Sequence, residues 1–237
     1  MLAFIRIILM AIAIVIISCI SMLMCLVRPF HRNNVYRTAQ WMAKVSYIVG
    51  VEIEVRVPQT ISPEQSYVYI GNHQNSYDLF TISKAVQPNT VSVGKKSLAW
   101  IPFFGQMYWL TGNILIDRNN KNKASNTITS TVDKIKKKGI SVWLFPEGTR
   151  SYGRGILPFK TGAFRTAMSA GSPIVPCVCS NSNDIKLNRW NNGKLIIEYM
   201  DPISMEGLRT EDIRKLANDT RAKMTVKFDQ LTQEAKQ

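Results

Sequence analysis

The sequence predicts an α/β fold, a mainly parallel sheet with flanking helices, preceded by an N-terminal membrane helix or two-helix membrane hairpin. Three observations predict it. From residue 51 onward, short β-branched and aromatic runs alternate with stretches of helical periodicity, the pattern of strands joined by helical crossovers. Residues 7–27 are uncharged and almost wholly apolar. Several strand-like runs end in charged residues, as strands do where an α/β sheet builds a site. The 237 residues are enough for one ordinary domain plus an appendage. The expected division is 1–50 as membrane anchor and interfacial helices and 51–237 as the α/β domain.

The apolar run 7–27 lies between Arg6 and Arg28. At about 1.5 Å per residue it is long enough to cross, or to enter deeply, a bilayer core of about 30 Å. No A-x-A cleavage site follows it, which favours a retained anchor over a signal peptide. Behind it stand Arg28, His31, Arg32, Arg37 and Lys44, against only Arg6 and the terminal amine in front. That asymmetry puts the C-terminal part in the cytoplasm. Over 35–49, Val35, Ala39, Met42, Val45 and Val49 recur at helical spacing. Such a helix lies along the membrane or packs on the domain.

Residues 51–57 alternate strictly and predict a half-exposed strand; 58–65 is a polar loop. Residues 66–70 form a buried strand, and 77–86 a helix that Asn75 or Ser76 is placed to cap. A short strand over 90–94 leads into Lys95 and Lys96. The aromatic run 101–110 suits core, an acyl-chain wall or a membrane-facing patch. A strand over 114–116 ends on Asp117-Arg118, and a surface helix over 121–138 stops at Gly139. The strand 140–145 runs into Pro146-Glu147-Gly148-Thr149-Arg150-Ser151. A helix near 161–170, strands from 173 and over 194–200, and a terminal amphipathic helix over 210–235 complete the chain.

The net charge of +14 calls for an acidic partner: anionic membrane lipid, nucleic acid, or an acidic carrier or substrate. No basic-aromatic motif of the RNA- or DNA-binding kinds is present, which argues against nucleic acid. Four cysteines, two of them inside the apolar run, form no disulfide framework, and this fits a reduced, cytosol-facing protein. Cys177-Val178-Cys179 would need metal ligands from elsewhere, and the chain has two histidines. It reads as small apolar residues on a strand.

His73 and Asp78 bracket the bend between the strand 66–70 and the helix that follows it. A carboxylate on one ring nitrogen fixes the tautomer, leaves the other nitrogen to accept a proton, and stabilises the imidazolium that results. An isolated His-x4-Asp pair recurs by accident. Here, however, two further strand ends carry Asp117-Arg118 and Glu147-Gly148-Thr149-Arg150. Arginine's planar fork suits a phosphate. A base beside two arginines describes a site for a phosphorylated alcohol.

In order along the chain, Asn72-His73 to Asp78, Gly112 to Arg118, Phe145 to Arg150 and Pro173-Ile174-Val175-Pro176 resemble the glycerolipid acyltransferase family, and most nearly its bacterial 1-acylglycerol-3-phosphate branch. Val93-Gly94-Lys95-Lys96, Ile101-Pro102-Phe103-Phe104-Gly105 and Phe159 to Phe164 match as well. The resemblance implies the glycerolipid acyltransferase fold at the bacterial inner membrane, with the catalytic domain on the cytoplasmic side. It implies acyl transfer from acyl carrier protein or coenzyme A thioesters to the sn-2 hydroxyl of lysophosphatidate. His73 would be the base and Asp78 its orienting partner. Glu147, Gly148, Thr149, Arg150 and Arg118 would hold the glycerol phosphate. Lys95, Lys96 and the Gly148 N–H are the candidate oxyanion or phosphate contacts.

The residues themselves agree with direct transfer, since no G-x-S-x-G elbow or other nucleophile motif is present. No metal and no cofactor beyond the thioester co-substrate is expected; H-E-x-x-H is absent and histidines are few. Rival readings are another lysolipid acceptor, a non-catalytic membrane-bound lipid-binding protein, and a metal-dependent phosphoester hydrolase.

Overall fold

The computed structural model describes residues 1–117 and 120–237, and for 121–125 the backbone path alone. Seven strands form its sheet: β1 (Glu52–Arg56), β2 (Val68–Gly71), β3 (Thr90–Lys95), β4 (Ile114–Ile116), β5 (Ser141–Leu144), β6 (Ile174–Cys179) and β7 (Lys194–Tyr199). Their order is β1-β7-β6-β2-β5-β3-β4. Every neighbouring pair is parallel except β6–β7. The expected mainly parallel sheet thus carries one antiparallel seam. The segment from β6 to β7 holds no helix, and an antiparallel return needs none. As a result β1 and β7 start at the end of the sheet where β2, β5 and β6 finish.

Strand chemistry sets the two faces. β2 is buried at every position between β5 and β6, as a central parallel strand must be. Val68, Ile70, Val142 and Ile174 point to one side. There they meet Ile135 of α6 (Lys121–Lys138), Phe164 and Ala167 of α7 (Gly162–Ala170), and Met224 of α8 (Ile213–Glu234). Tyr67, Tyr69, Trp143, Val175 and Cys177 point to the other, against Met42, Val49, Phe80 and Phe104. Burying each large side chain contributes about 1.5–3 kcal/mol. Cys177 and Cys179 are buried free thiols on β6. Among the described residues no cluster of three or more His, Cys, Asp or Glu side chains is placed to hold a metal.

The N-terminal run forms α1 (Leu2–Val27), whose 26 residues span roughly 39 Å. Its buried positions are polar or small, Arg6, Ser18, Ser21 and Cys25, while its outward face is apolar from Phe4 to Val27. Ser21 accepts from Thr38 at 2.9 Å, and the Arg6 guanidinium donates to the carbonyls of Leu187 (3.1 Å), Trp190 (2.9 Å) and Arg189. The helix expected over 35–49 is two, α2 (Asn34–Ala43) and α3 (Val45–Val49), interrupted at Lys44. Val35, Ala39, Met42, Val45 and Val49 are all buried, so of the two readings this segment packs on the domain. Gly50 closes α3 at φ 72°, where a Cβ would fall 2.1 Å from the Trp190 carbonyl oxygen; only glycine fits.

The helix expected over 77–86 is one α-turn, α4 (Asp78–Thr81), tightening into a 3-10 turn over Ile82–Ala85. Ser83 bonds back to the Leu79 carbonyl at 2.6 Å, a side-chain bond that competes with the regular ladder. In the aromatic run, α5 (Phe104–Leu110) buries Phe104 and Met107 but leaves Trp109 exposed, beside exposed Trp100, Ile101 and Phe103. That run therefore serves as core on one side and as an outward apolar patch on the other.

Candidate active site

β2 ends at Gly71, packed so closely on the Trp143 ring that a Cβ would lie 2.7 Å from it. Asn72 then copies a strand pairing with its side chain: Oδ1 accepts from Cys179 N (2.8 Å) and Nδ2 donates to Cys179 O (2.9 Å). Gln74 does the same one turn on, donating to Ser180 O at 2.8 Å and accepting from Ser182 N at 2.9 Å. These buried amides fasten the bend to the end of β6. Asn75 Oδ1 accepts from Tyr77 N at 2.9 Å, a turn just ahead of α4; the N-cap position is Tyr77, so neither Asn75 nor Ser76 caps the helix as the sequence suggested.

His73 therefore sits on a braced loop with Asp78 brought back to it. Nδ1 and Asp78 Oδ2 are 2.6 Å apart, and the same oxygen accepts from Gln74 N at 2.7 Å. Asp78 is buried, and its Oδ1 has no hydrogen-bond partner. A buried carboxylate with an unpaired oxygen is costly, and an imidazolium beside it offsets that cost. Phe145, just past β5, stacks on the imidazole with centroids 4.2 Å apart and 16° between planes. Among the described residues Nε2 has no protein partner, so it is left to accept a proton.

The 145–157 segment completes the cradle. Glu147 is buried, with Oε1 accepting from His73 N (2.7 Å) and Oε2 from Leu157 N (2.9 Å). Its carboxyl pKa is pushed up to about 7 by burial, against the pull of these two donors. Ser151 N and Tyr152 N return bonds to the carbonyls of His73 and Gln74, each at 2.8 Å. Arg150 reaches the rim of the site, 3.3 Å from Ser76 Oγ, with no carboxylate partner among the described residues. Thr149 is exposed beside it.

Gly148 takes φ 70°, and its N–H donates to the Phe145 carbonyl at 3.1 Å, so this candidate oxyanion donor is already engaged. The Lys160 side chain lies over Gly148 where a Cβ would point, 2.9 Å from Nζ. Lys95 and Lys96 stand at the end of β3, two strands or roughly 10 Å from β2. Lys96 Nζ is 3.9 Å from Asp117 Oδ2. Arg118 lies outside the described residues. An apolar cavity of about 240 Å³ opens behind Phe145, lined by Val93, Ile116, Leu144 and Ala163 with Lys160 at its edge.

The bracing of His73 through Asn72 and Gln74 has one sequence signal, polar amides immediately after an apolar strand, a pattern that suits side-chain pairing with a neighbouring strand end. For the outward placement of Arg150 and the inward placement of Glu147 the sequence holds no signal.

A family model described as acyltransferase matches residues 52–180. The chain is 50% identical to the 1-acyl-sn-glycerol-3-phosphate acyltransferase of Haemophilus influenzae, over 92% of this chain and 91% of that protein. It is 46% identical to the protein of the same name from Escherichia coli, over 99% and 96%. The crystal structure of the 1-acyl-sn-glycerophosphate acyltransferase from Thermotoga maritima superposes with a TM-score of 0.77, covering 96% of this chain and 95% of that one. At 20% identity this last likeness speaks for the fold alone.

Proposed function

The chain belongs to the acyltransferase family, and we propose that it moves a fatty acyl group from a thioester, on acyl carrier protein or coenzyme A, to the sn-2 hydroxyl of lysophosphatidate, giving phosphatidate. The observation that carries this reading is the 2.6 Å contact between His73 Nδ1 and buried Asp78, with Nε2 unpartnered among the described residues. Nε2 takes the hydroxyl proton as the oxygen attacks the thioester carbonyl. Asp78 stabilises the imidazolium, the tetrahedral adduct collapses, and the proton goes to the departing thiolate.

Arg150, unpaired with any carboxylate among the described residues, is the phosphate contact, with Arg118 as second contact by family likeness alone. Lys95 and Lys96 remain candidates for stabilising the adduct's oxyanion or the phosphate. Thr149 and Gly148 shape the phosphate loop. Glu147 acts through His73, whose backbone N–H it holds. The cavity behind Phe145 gives an acyl chain an apolar path beginning one ring from the base.

α1 is proposed to lie in one leaflet, apolar face outward, with the domain on the cytoplasmic side. Arg6 is bonded to the 187–190 loop and Ser21 to Thr38 of α2, which packs on the domain, and these ties near both ends of the helix support a position along the membrane surface rather than across it.

Arg150→Gln tests the acceptor. The KM for lysophosphatidate should rise about 10- to 100-fold, the scale of losing a charge-assisted contact. A lyso-acceptor without the phosphate should be used poorly by wild type and be indifferent to the substitution. Equal use of both acceptors by wild type would contradict the proposed substrate.

A further inference from the structure

A second cavity, of about 290 Å³, lies between the 181–193 loop and the C-terminal end of α8. Residues beyond 180 fall outside the match to the family model, and none of the cavity's side chains belongs to the His73 site described above. Its lining includes Lys186, Arg189, Lys194 and Lys236, against the single carboxylate of Asp184, which accepts from Asn181 Nδ2 at 3.0 Å. Lys194 is paired with Glu54. Lys186, Arg189 and Lys236 are exposed and have no carboxylate partner among the described residues.

The cavity's place in the fold says what those cations meet. β7 begins beside it, at the end of the sheet where β2 delivers His73. Its loop is the one that Arg6 of α1 clamps through the carbonyls of Leu187, Arg189 and Trp190. Trp190 is 79% exposed, with the Arg6 guanidinium 5.9 Å from its ring centroid. Next to it begins the apolar outer face of α1, Phe4, Ile5, Ile8 and Ile12. A basic hollow, an exposed tryptophan and an apolar helix face thus follow one another across a short distance. An amphiphile with an anionic head and an apolar tail matches that sequence of surfaces.

We propose that this cavity binds the phosphate headgroup of an anionic phospholipid, separately from the acyl acceptor, and so fixes the depth and tilt at which the active-site end of the sheet meets the membrane. The proposal rests on the reading of α1 as membrane-embedded. Lys186, Arg189 and Lys236 hold the phosphate, and Trp190 lies against the upper part of the lipid chains. The loop is tied to the catalytic bend through the Gln74 and Asn75 bonds to Ser180 and Ser182, so a bound headgroup also steadies the loop that carries His73.

The test uses the full chain in phosphatidylcholine vesicles, with a fraction of the lipid replaced by chain-brominated phosphatidylglycerol or chain-brominated phosphatidylcholine, and reads tryptophan fluorescence. Trp190→Phe identifies the Trp190 share. Brominated phosphatidylglycerol should quench that share at about tenfold lower content than brominated phosphatidylcholine. Combined Lys186→Gln, Arg189→Gln and Lys236→Gln should abolish the preference while leaving activity in detergent intact. Lys136→Gln, Lys137→Gln and Lys138→Gln on α6 remove the same charge elsewhere and should preserve it. Equal quenching by the two lipids, or equal loss in both triple variants, would overturn the site. Quenching by neither lipid would remove the membrane reading beneath it.

Discussion

His73 is held from three sides: a carboxylate on its ring, an aromatic face against it and a buried carboxyl on its backbone N–H. Substituting Asp78→Asn keeps the shape but loses the negative charge and invites the wrong tautomer. The transfer rate should fall about 10²–10⁴-fold with little change in KM. Glu147 gives a different signature. Glu147→Gln presents an NH2 group to one of two backbone donors, and should lower stability by about 1–3 kcal/mol and activity with it. Its pKa of about 7 stands above the ordinary 4.5, so the folded protein holds that proton more tightly than the unfolded chain. The stability this contributes is complete below pH 4.5 and is lost as pH rises through about 7. Wild type should therefore lose more Tm between those limits than Glu147→Gln, and parallel profiles would contradict the assignment. The His73–Asp78 pair was legible because its strand–bend–helix setting lets the two side chains meet and because three further motifs follow it in order; the spacing alone recurs by accident. Glu147's brace was not, because its partners are backbone N–H groups, which every residue other than proline carries.

At the scale of elements, α1 departs most from what its composition suggests. An apolar run announces a membrane helix, but which face turns inward depends on a contact between Arg6 and carbonyls more than 180 positions away. No local pattern encodes it. Arg6→Ala leaves three carbonyls without a buried donor, so it should lower Tm by several degrees and expose the 187–190 loop to proteolysis. Gly50→Ala should be at least as damaging, through positive φ and the collision with Trp190 O together. A thiol-specific label at a cysteine placed at residue 2 tests the orientation. Access from the cytoplasmic side supports α1 in one leaflet, and access from the opposite side alone would contradict it. The break at Lys44 was equally hidden, since Val35 to Val49 keeps its helical spacing across it.

The whole molecule combines a net charge of +14 with a site opening at one end of a mixed sheet. Alternating runs sufficed to predict the α/β class and the order of strands along the chain. The β6–β7 reversal was not readable, because it depends on which edge accepts the returning strand. Charge of this size steers an acidic partner over a distance of about a Debye length. Transfer from a carrier-linked donor should therefore slow about tenfold or more as salt rises from about 0.05 to about 0.5 M. A flat response in kcat/KM would count against an acidic carrier protein as donor.

The most direct measurement is acyl transfer from acyl carrier protein to lysophosphatidate by the purified protein in lipid, wild type beside His73→Ala. Phosphatidate from wild type and a loss of about 10²–10⁴-fold or more in the variant, with Tm unchanged, is the predicted result. Equal rates in the two would contradict His73 as the base, and with it the mechanism built around it.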